Sequence, residues 1–597
     1  MKKNGEKNIC LLPLIMWLVV IPLIVKEKYY PNPLSEYSWY SSEKMLGDFF
    51  LYYKSIFVTI TGIFMLGILI WQISKMHRKN TSFVVEMKIF IPLVAYFFLT
   101  ILSTLFSEYK YFCIHGMPDQ FETIWNLLAY GIALFYCYYM VVIYRSEKPL
   151  MTLIFFGTAL VGIICFLQYF KIDIYRMIYA GEGYSFTFPE GTVYGPFYNT
   201  NYVGFYTLLF VPLFVLLLLC YKDWKVKLIS LVLTVFLLTA MIGANSITSV
   251  LALLAVTIFA ILFLLCKNVH RSNILWLPII GTVVLIGIAC FIVLPRVSAY
   301  ISASNTQGTN LENIFTYDDC VEIDYKRQKL YVSMEMVGSS MSFRLRDQDQ
   351  KEVSWQMTDS GEGYTFYTIN DERFDGITVT PALLAQNPNV YGFAIGIDGK
   401  EWCFSNQVAE DNTYYYYTDI GTLTKLTEDS VSPDFAPLEK MSSLASGRGY
   451  IWNKTFALLK QYILLGSGAD TFALVFPNAD FVDKYNNGYD GMVITKPHNL
   501  YLQIAVQTGV LSLICFLVFY LWYFISSLRL YFKQRLNNPL VITGFAIMLG
   551  TLGYMISGLA NDSTITVAPL YWALMGIGIG INQRIRMDII IRQRSKK

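Results

Sequence analysis

Two short stretches late in the chain carry side chains suited to transfer chemistry at a membrane surface. Lys496-Pro497-His498-Asn499 leads into an apolar run that continues to Ile525. An imidazole at the mouth of such a run is costly unless it has a partner or a task. A neutral imidazole there can accept the proton of a hydroxyl as that oxygen forms a bond; the alternative is a helix-capping or interfacial His. Upstream lies Arg448-Gly449-Tyr450-Ile451-Trp452, then the turn Leu465-Gly466-Ser467-Gly468. A guanidinium fork holds a phosphate-type oxyanion better than a lysine does, although a lipid-phosphate contact remains open for Arg448. His498 and Arg448 are therefore the catalytic candidates, with Trp452 and Asn499 as substrate contacts. Asn499 reads equally well as a helix cap. Of the four histidines, His77 and His270 fall in segments read as cytoplasmic, and His115 has no Arg-bearing, Gly-turned loop leading into it. No Asp-x-Asp run stands beside the motif, and Asp480, Asp483 and Asp490 are scattered, so no metal or other cofactor is expected.

The elements that must position these residues follow from composition. With 55% hydrophobic and 15% charged residues, the 597-residue chain reads as an all-α polytopic membrane protein. A net charge of +3 is too small to argue for a nucleic-acid partner. Apolar runs long enough to span lie at 9–25, 56–74, 88–106, 121–143, 150–170, 200–220, 226–243, 246–266, 273–294, 500–526, 539–558 and 564–582, about twelve in all. The first resembles a signal peptide but lacks a small-residue cleavage site, and is read as a retained span. Alternate loops are basic, which puts both termini in the cytoplasm of a cell-membrane protein.

Four regions result: spans one to nine (1–294), a polar stretch (295–445), a loop (446–499), and the last three spans with a basic tail (500–597). The polar stretch alternates like strands and is read as an extracytoplasmic β-rich insertion, a sandwich. Its aromatics, among them Trp355, Trp402 and Tyr414–Tyr417, read more readily as core residues than as sugar platforms. Cys320 and Cys403 lie in this stretch and their pairing is open. Among the loops on the same side, Gly195-Pro196-Phe197-Tyr198-Asn199-Thr200-Asn201 enters the sixth span, where Asn201 is a substrate-contact or capping candidate. Gly243-Ala244-Asn245-Ser246-Ile247-Thr248-Ser249 joins the seventh and eighth spans, and Gly558-Leu559-Ala560-Asn561-Asp562-Ser563 joins the last two.

His498-Asn499, nine residues and Gly509 resemble the signature of the O-antigen ligase family. The order Arg448, Trp452, Leu-Gly-x-Gly, His-Asn resembles that family's catalytic loop, and the runs at 195–201 and 558–576 resemble further landmarks. Ser512 departs from the usual Gly, Thr or Tyr. Ile247 stands where members often carry an Arg that holds the carrier's diphosphate, and Arg176 is the candidate substitute. The resemblance implies a GT-C-like membrane glycosyltransferase of cell-envelope polysaccharide biosynthesis. It would move a glycan from a polyprenyl (undecaprenyl) diphosphate to an acceptor glycan, lipid or protein outside the membrane. A polymerase of the same family, a polysaccharide transporter or flippase, and a structural or sensory protein working through its β region are the alternatives.

Overall fold

Without water to satisfy it, an apolar chain in a bilayer must pair its own backbone, and the apolar runs do so as helices. A computed structural model describes residues 2–78, 87–179, 188–267, 310–337, 340–359, 365–383, 390–408, 412–442 and 447–595. Among these residues nine helices are long and apolar enough to cross a membrane: Tyr52–Arg78, Lys88–Leu105, Ile124–Tyr144, Glu147–Tyr169, Thr200–Cys220, Trp224–Gly243, Ile247–Cys266, Val510–Lys533 and Pro539–Ser557.

The other expected spans depart from this group in different ways. The first is a shorter apolar helix, Asn8–Leu23, with a π turn at Met16–Val20. The run 273–294 lies outside the described residues. The run 500–526 is not one helix but two, Leu500–Thr508 and Val510–Lys533, broken at Gly509. The run 564–582 becomes the longer and more polar Ala568–Arg594, buried along residues 568–585.

Burial separates inner from outer helices. Thr200–Cys220 and Pro539–Ser557 are apolar all round and pack against each other, as interior helices do. Ala568–Arg594 runs along Ile124–Tyr144. Small residues allow these backbones to approach: Gly550 lies against the Leu209 carbonyl and Gly576 against that of Leu134. Outer helices turn Ile63, Phe64, Val94 and Trp224 outward, where lipid would meet them. A buried Lys54 donates from Nζ to the carbonyls of Ile24 (2.5 Å), Phe50 (3.0 Å) and Pro196 (2.8 Å), tying three loops at one end of the bundle.

The described part of the polar stretch folds as expected into β structure. After a hairpin of β1 (Lys28–Pro31) and β2 (Met45–Asp48), the strands β3 (Leu311–Thr316), β4 (Val321–Tyr325), β5 (Gln328–Val337) and β6 (Ser340–Asp347) form one antiparallel sheet. A second antiparallel sheet runs through β7 (Trp355–Asp359), β8 (Thr365–Ile369), β9 (Thr378–Leu383), β10 (Tyr391–Ile397), β11 (Lys400–Ser405), β12 (Tyr415–Tyr417) and β13 (Leu423–Thr424). Alternation sends Ile323, Val332 and Leu345 of the first sheet and Phe393, Trp402 and Phe404 of the second into one core. Trp402, Tyr414 and Tyr416 are thus core residues, and Trp355 packs edge-on to Tyr367 at 4.6 Å. Cys320 and Cys403 are free thiols. The same core takes in Leu34 and Trp39, Phe112 and Met117, and Phe481, so this domain sits on the loops that lead to His498.

Gly509 adopts a φ of +102° at the helix break, where strands of backbone meet closely. Val510 N donates to Tyr462 O (2.9 Å) and Ser467 N to Val506 O (2.8 Å), which leaves no room for a side chain. A Cβ at Gly509 would stand 2.7 Å from the Leu464 carbonyl oxygen, and one at Gly466 would strike the Gln507 backbone. Gly509→Ala therefore should destabilise the protein by about 1–3 kcal/mol. Thermal unfolding of the purified protein in detergent measures this, and an unchanged midpoint would refute it.

Candidate functional site

The turn at His498 is held from several sides. Asn499 caps the helix Leu500–Thr508, its Oδ1 accepting from Tyr501 N and Leu502 N, both at 3.0 Å. Its Nδ2 donates to Leu559 O (2.9 Å), and Leu500 N donates to Gly558 O (2.8 Å). Trp452 Nε1 donates to Pro497 O at 3.0 Å. His498 itself has a φ of +50°, a left-handed conformation that non-glycine residues seldom adopt and that neighbours must enforce.

Behind the ring stands a carboxylate. Asp562 Oδ1 accepts from Asn499 N (3.0 Å), and Oδ2 lies 3.1 Å from His498 Nδ1. That is an ion-pair distance, although Oδ2 accepts no aligned hydrogen bond. The His498 side chain is 39% exposed and that of Asp562 1%, so the ring faces outward from a buried anion. A carboxylate beside Nδ1 favours the tautomer with its proton there, which leaves Nε2 as the basic nitrogen.

The other landmarks converge on the same turn. Asn201 Oδ1 accepts from Ser246 Oγ (3.2 Å) in the hairpin that contains Ile247, while Asn199 supplies the helix cap. Thr248 of that hairpin accepts from Asn561 Nδ2 (3.1 Å), next to Asp562. Lys496 is buried and donates from Nζ to Tyr202 OH (3.0 Å). Burial alone would push its pKa down, but Tyr202, Asp562 and Asp119 hold it above the ordinary lysine value. Nearby, burial pushes Glu122 up to about 7, against hydrogen bonds from Ser563 Oγ (2.7 Å) and Tyr130 OH (2.9 Å). Asp470, in the turn after Gly468, is likewise pushed up to about 7 by burial, although Met117 N and Glu122 N donate to it.

Arg448 begins the helix Arg448–Leu458. Buried Lys454 fixes that helix, with its Nζ 2.8 Å from Asp434 and 2.6 Å from Asp483. Arg448 and Trp452 are four residues apart, hence on one face, and Trp452 binds the Pro497 carbonyl. That face of the helix is the one turned to the His498 loop. Arg448 itself has no ion pair or side-chain hydrogen bond among the described residues. Arg176 differs: it pairs with Asp173 (3.4 Å) and donates to the Phe188 carbonyl, and none of these contacts reaches the His498 turn. His115 stacks on Tyr111, in the same short helix. The scattered acids are structural, since Asp480 accepts from Ser432 N (3.0 Å) and Asp490 pairs with Lys400.

Asp562, Glu122 and Lys496 were not among the residues nominated from sequence. Their signal is present in it: an ionisable residue at the mouth of an apolar run is itself a site candidate. Asp562→Ala should strand the Asn499 N–H and lower stability by about 1–3 kcal/mol. Asp562→Asn, which keeps an acceptor, should lose less. Thermal midpoints of the two variants compare them directly, and equal losses would mean that the acceptor does not matter.

Comparison with known families reaches the same region. Residues 413–517 match a family model described as O-antigen ligase. The match contains Arg448, Trp452, His498 and Asn499, omits Asn201, Arg176 and Asp562, and begins within the β region, ahead of the boundary at 446. A comparison with curated proteins gives no match. The matched segment, with the His498 turn inside it, supports a likeness of this chain to the O-antigen ligase/polymerase family.

Proposed function

We propose that the chain is a membrane glycosyltransferase that moves a glycan from a polyprenyl diphosphate to a hydroxyl of an extracytoplasmic acceptor. The observation that carries this reading is the His498 turn, with the ring backed by Asp562 and the Arg448 helix tied to Pro497 through Trp452. In the proposed step the acceptor O–H gives its proton to His498 Nε2 while its oxygen bonds to the anomeric carbon. The bond from that carbon to the diphosphate oxygen breaks, and Arg448 takes up the charge on the leaving diphosphate. Asp562 stabilises the imidazolium that forms. Asn499 and Trp452 act by holding the turn, a role compatible with sugar contact at its open side, and Asn201 does the same for the neighbouring hairpin. Arg176 has its own partner in Asp173, which makes Arg448 the main contact for the diphosphate.

This reading carries a GT-C-like architecture of about twelve spans in the cell membrane, with both termini cytoplasmic and the β domain outside. It requires no metal.

The test is transfer from a purified polyprenyl-diphosphate glycan by the detergent-solubilised protein. His498→Ala should lower the rate by about two to four orders of magnitude. Asn499 rather than His498 caps the helix Leu500–Thr508. His498→Asn should therefore be equally inactive, and a near-normal rate in that variant would reject base catalysis in favour of a purely conformational role in the left-handed turn. Arg448→Lys keeps the charge but loses the fork, and should lose most of the activity. Turnover abolished by a chelator would reject the metal-free step. In a deletion strain, shortened envelope glycans identify a polymerase, and accumulated full-length carrier-linked chains identify a ligase.

A further inference from the structure

The outward face of the four-stranded sheet holds a polar cleft of about 290 Å³, just below the ~300–1,000 Å³ range of small-molecule sites. Strand register places Glu322 (β4), Tyr331 (β5) and Arg346 (β6) in one row across its floor. The odd-numbered neighbours Val321 and Ile323 point into the core, so the row necessarily points outward. Tyr317, 38% exposed, forms part of the rim. Its turn is braced by Tyr317 N to Cys320 O (2.9 Å), Tyr414 N to Tyr317 O (3.0 Å) and Thr413 Oγ1 to Asp318 Oδ1 (2.8 Å).

The polar groups are ordered in the same way. Glu322 is 5% exposed and its Oε1 accepts from Lys329 Nζ at 2.5 Å, with Tyr331 opposite it on the neighbouring strand. Arg346 Nη1 donates to Gln350 Oε1 at 3.2 Å, and the rest of its fork has no side-chain hydrogen bond among the described residues. Tyr331 thus has a buried carboxylate on one side of it in the row and a half-buried guanidinium on the other.

We propose that this cleft is a saccharide subsite, holding one pyranose residue of a glycan chain apart from the His498 turn. A pyranose presents an apolar C–H face and adjacent hydroxyls. The tyrosine rings meet the first, while Glu322 as acceptor and Arg346 and Gln350 as donors meet the second. Acid and base together on the floor suit a neutral polyhydroxyl ligand better than a phosphate. The assignment rests on the reading of the chain as a glycan transferase, because the β domain shares its core with the loops beneath His498. It puts the sugar platform on Tyr317 and Tyr331 rather than on the tryptophans.

The experiment is saturation-transfer NMR on the purified full chain in detergent, with the methyl glycosides of glucose, galactose, mannose, rhamnose and N-acetylglucosamine as probes. At least one glycoside should give a signal. Glu322→Gln, Tyr331→Ala and Tyr317→Ala should each weaken its binding about tenfold, the effect of losing one good polar or aromatic contact. Tyr317→Ala decides the matter if the Tyr331 variant has a lowered thermal midpoint. Silence from every glycoside overturns the proposal. So does binding that survives in Glu322→Gln and Tyr317→Ala proteins of unchanged midpoint, or binding lost in His498→Ala but kept in the cleft variants. If His498→Ala retains normal transfer, the catalytic reading fails by itself, and the cleft result stands separately.

Discussion

A carboxylate withdrawn from water must be paired, and at the top of this helical bundle that requirement organises everything around Asp562. Its two oxygens face the Asn499 amide and the His498 ring, both in the turn that opens the helix Leu500–Thr508. A buried anion left alone would be far costlier than the left-handed backbone that His498 adopts to meet it. The turn at 558–563 and the turn at 496–499 are therefore held to each other through the Asp562 carboxylate as well as by backbone hydrogen bonds. Lys496 adds a buried cation to the same cluster, which keeps three further carboxylates, Asp119, Glu122 and Asp470, from accumulating unopposed charge.

The broken helix beneath this turn follows from the same crowding. A continuous helix from Leu500 to Lys533 would leave nowhere for the loop at 462–468 to bond. Breaking it at Gly509 frees the carbonyls of Val506 and Gln507 and the amides of Val510 and Leu511, and the loop pairs with all four. The loop that bears Arg448 and Trp452 is thereby anchored at one end to the membrane helices. At its other end Lys454, caught between Asp434 and Asp483, anchors it to the segment leading out of the β domain. Rigid support on both sides is what a positioned pair of side chains needs.

The β domain is not a separate appendage. Its core continues through Leu34 and Trp39 of the first loop, and through Phe481 of the loop that carries the site. Polar contacts reinforce the seam: Ser38 Oγ to Thr424 Oγ1 at 3.0 Å, Asn486 Nδ2 to Leu311 O at 2.8 Å, and Tyr485 OH to Asp398 O at 2.8 Å. A domain fixed in this way holds its outward sheet at a constant place relative to His498, which a flexible tether would not.

Local chemistry in the sequence was enough for several conclusions. Runs of about 20 apolar residues become helices in a bilayer, alternation between Gly, Asp and Pro marks strands, and Asn499 before Leu500 reads as a cap as well as a substrate contact. The spacing from His498 to Gly509 was legible as a motif, and its reason is now steric and conformational: only a glycine fits at +102° against the Leu464 carbonyl. What could not be read was any choice that depends on partners distant in the chain. The run 500–526 is apolar enough to span as one helix despite Gln503 and Gln507, and its break at Gly509 is completed by a loop some 40 residues earlier. The aromatics of the β domain are similar in type, and only packing sends Trp402 inward and leaves Tyr317 at a cleft. The pairing of Asp562 with His498 spans 64 positions. Hydropathy and periodicity report a residue's immediate surroundings, whereas the partner of a buried charge is settled only when the whole chain has packed around it.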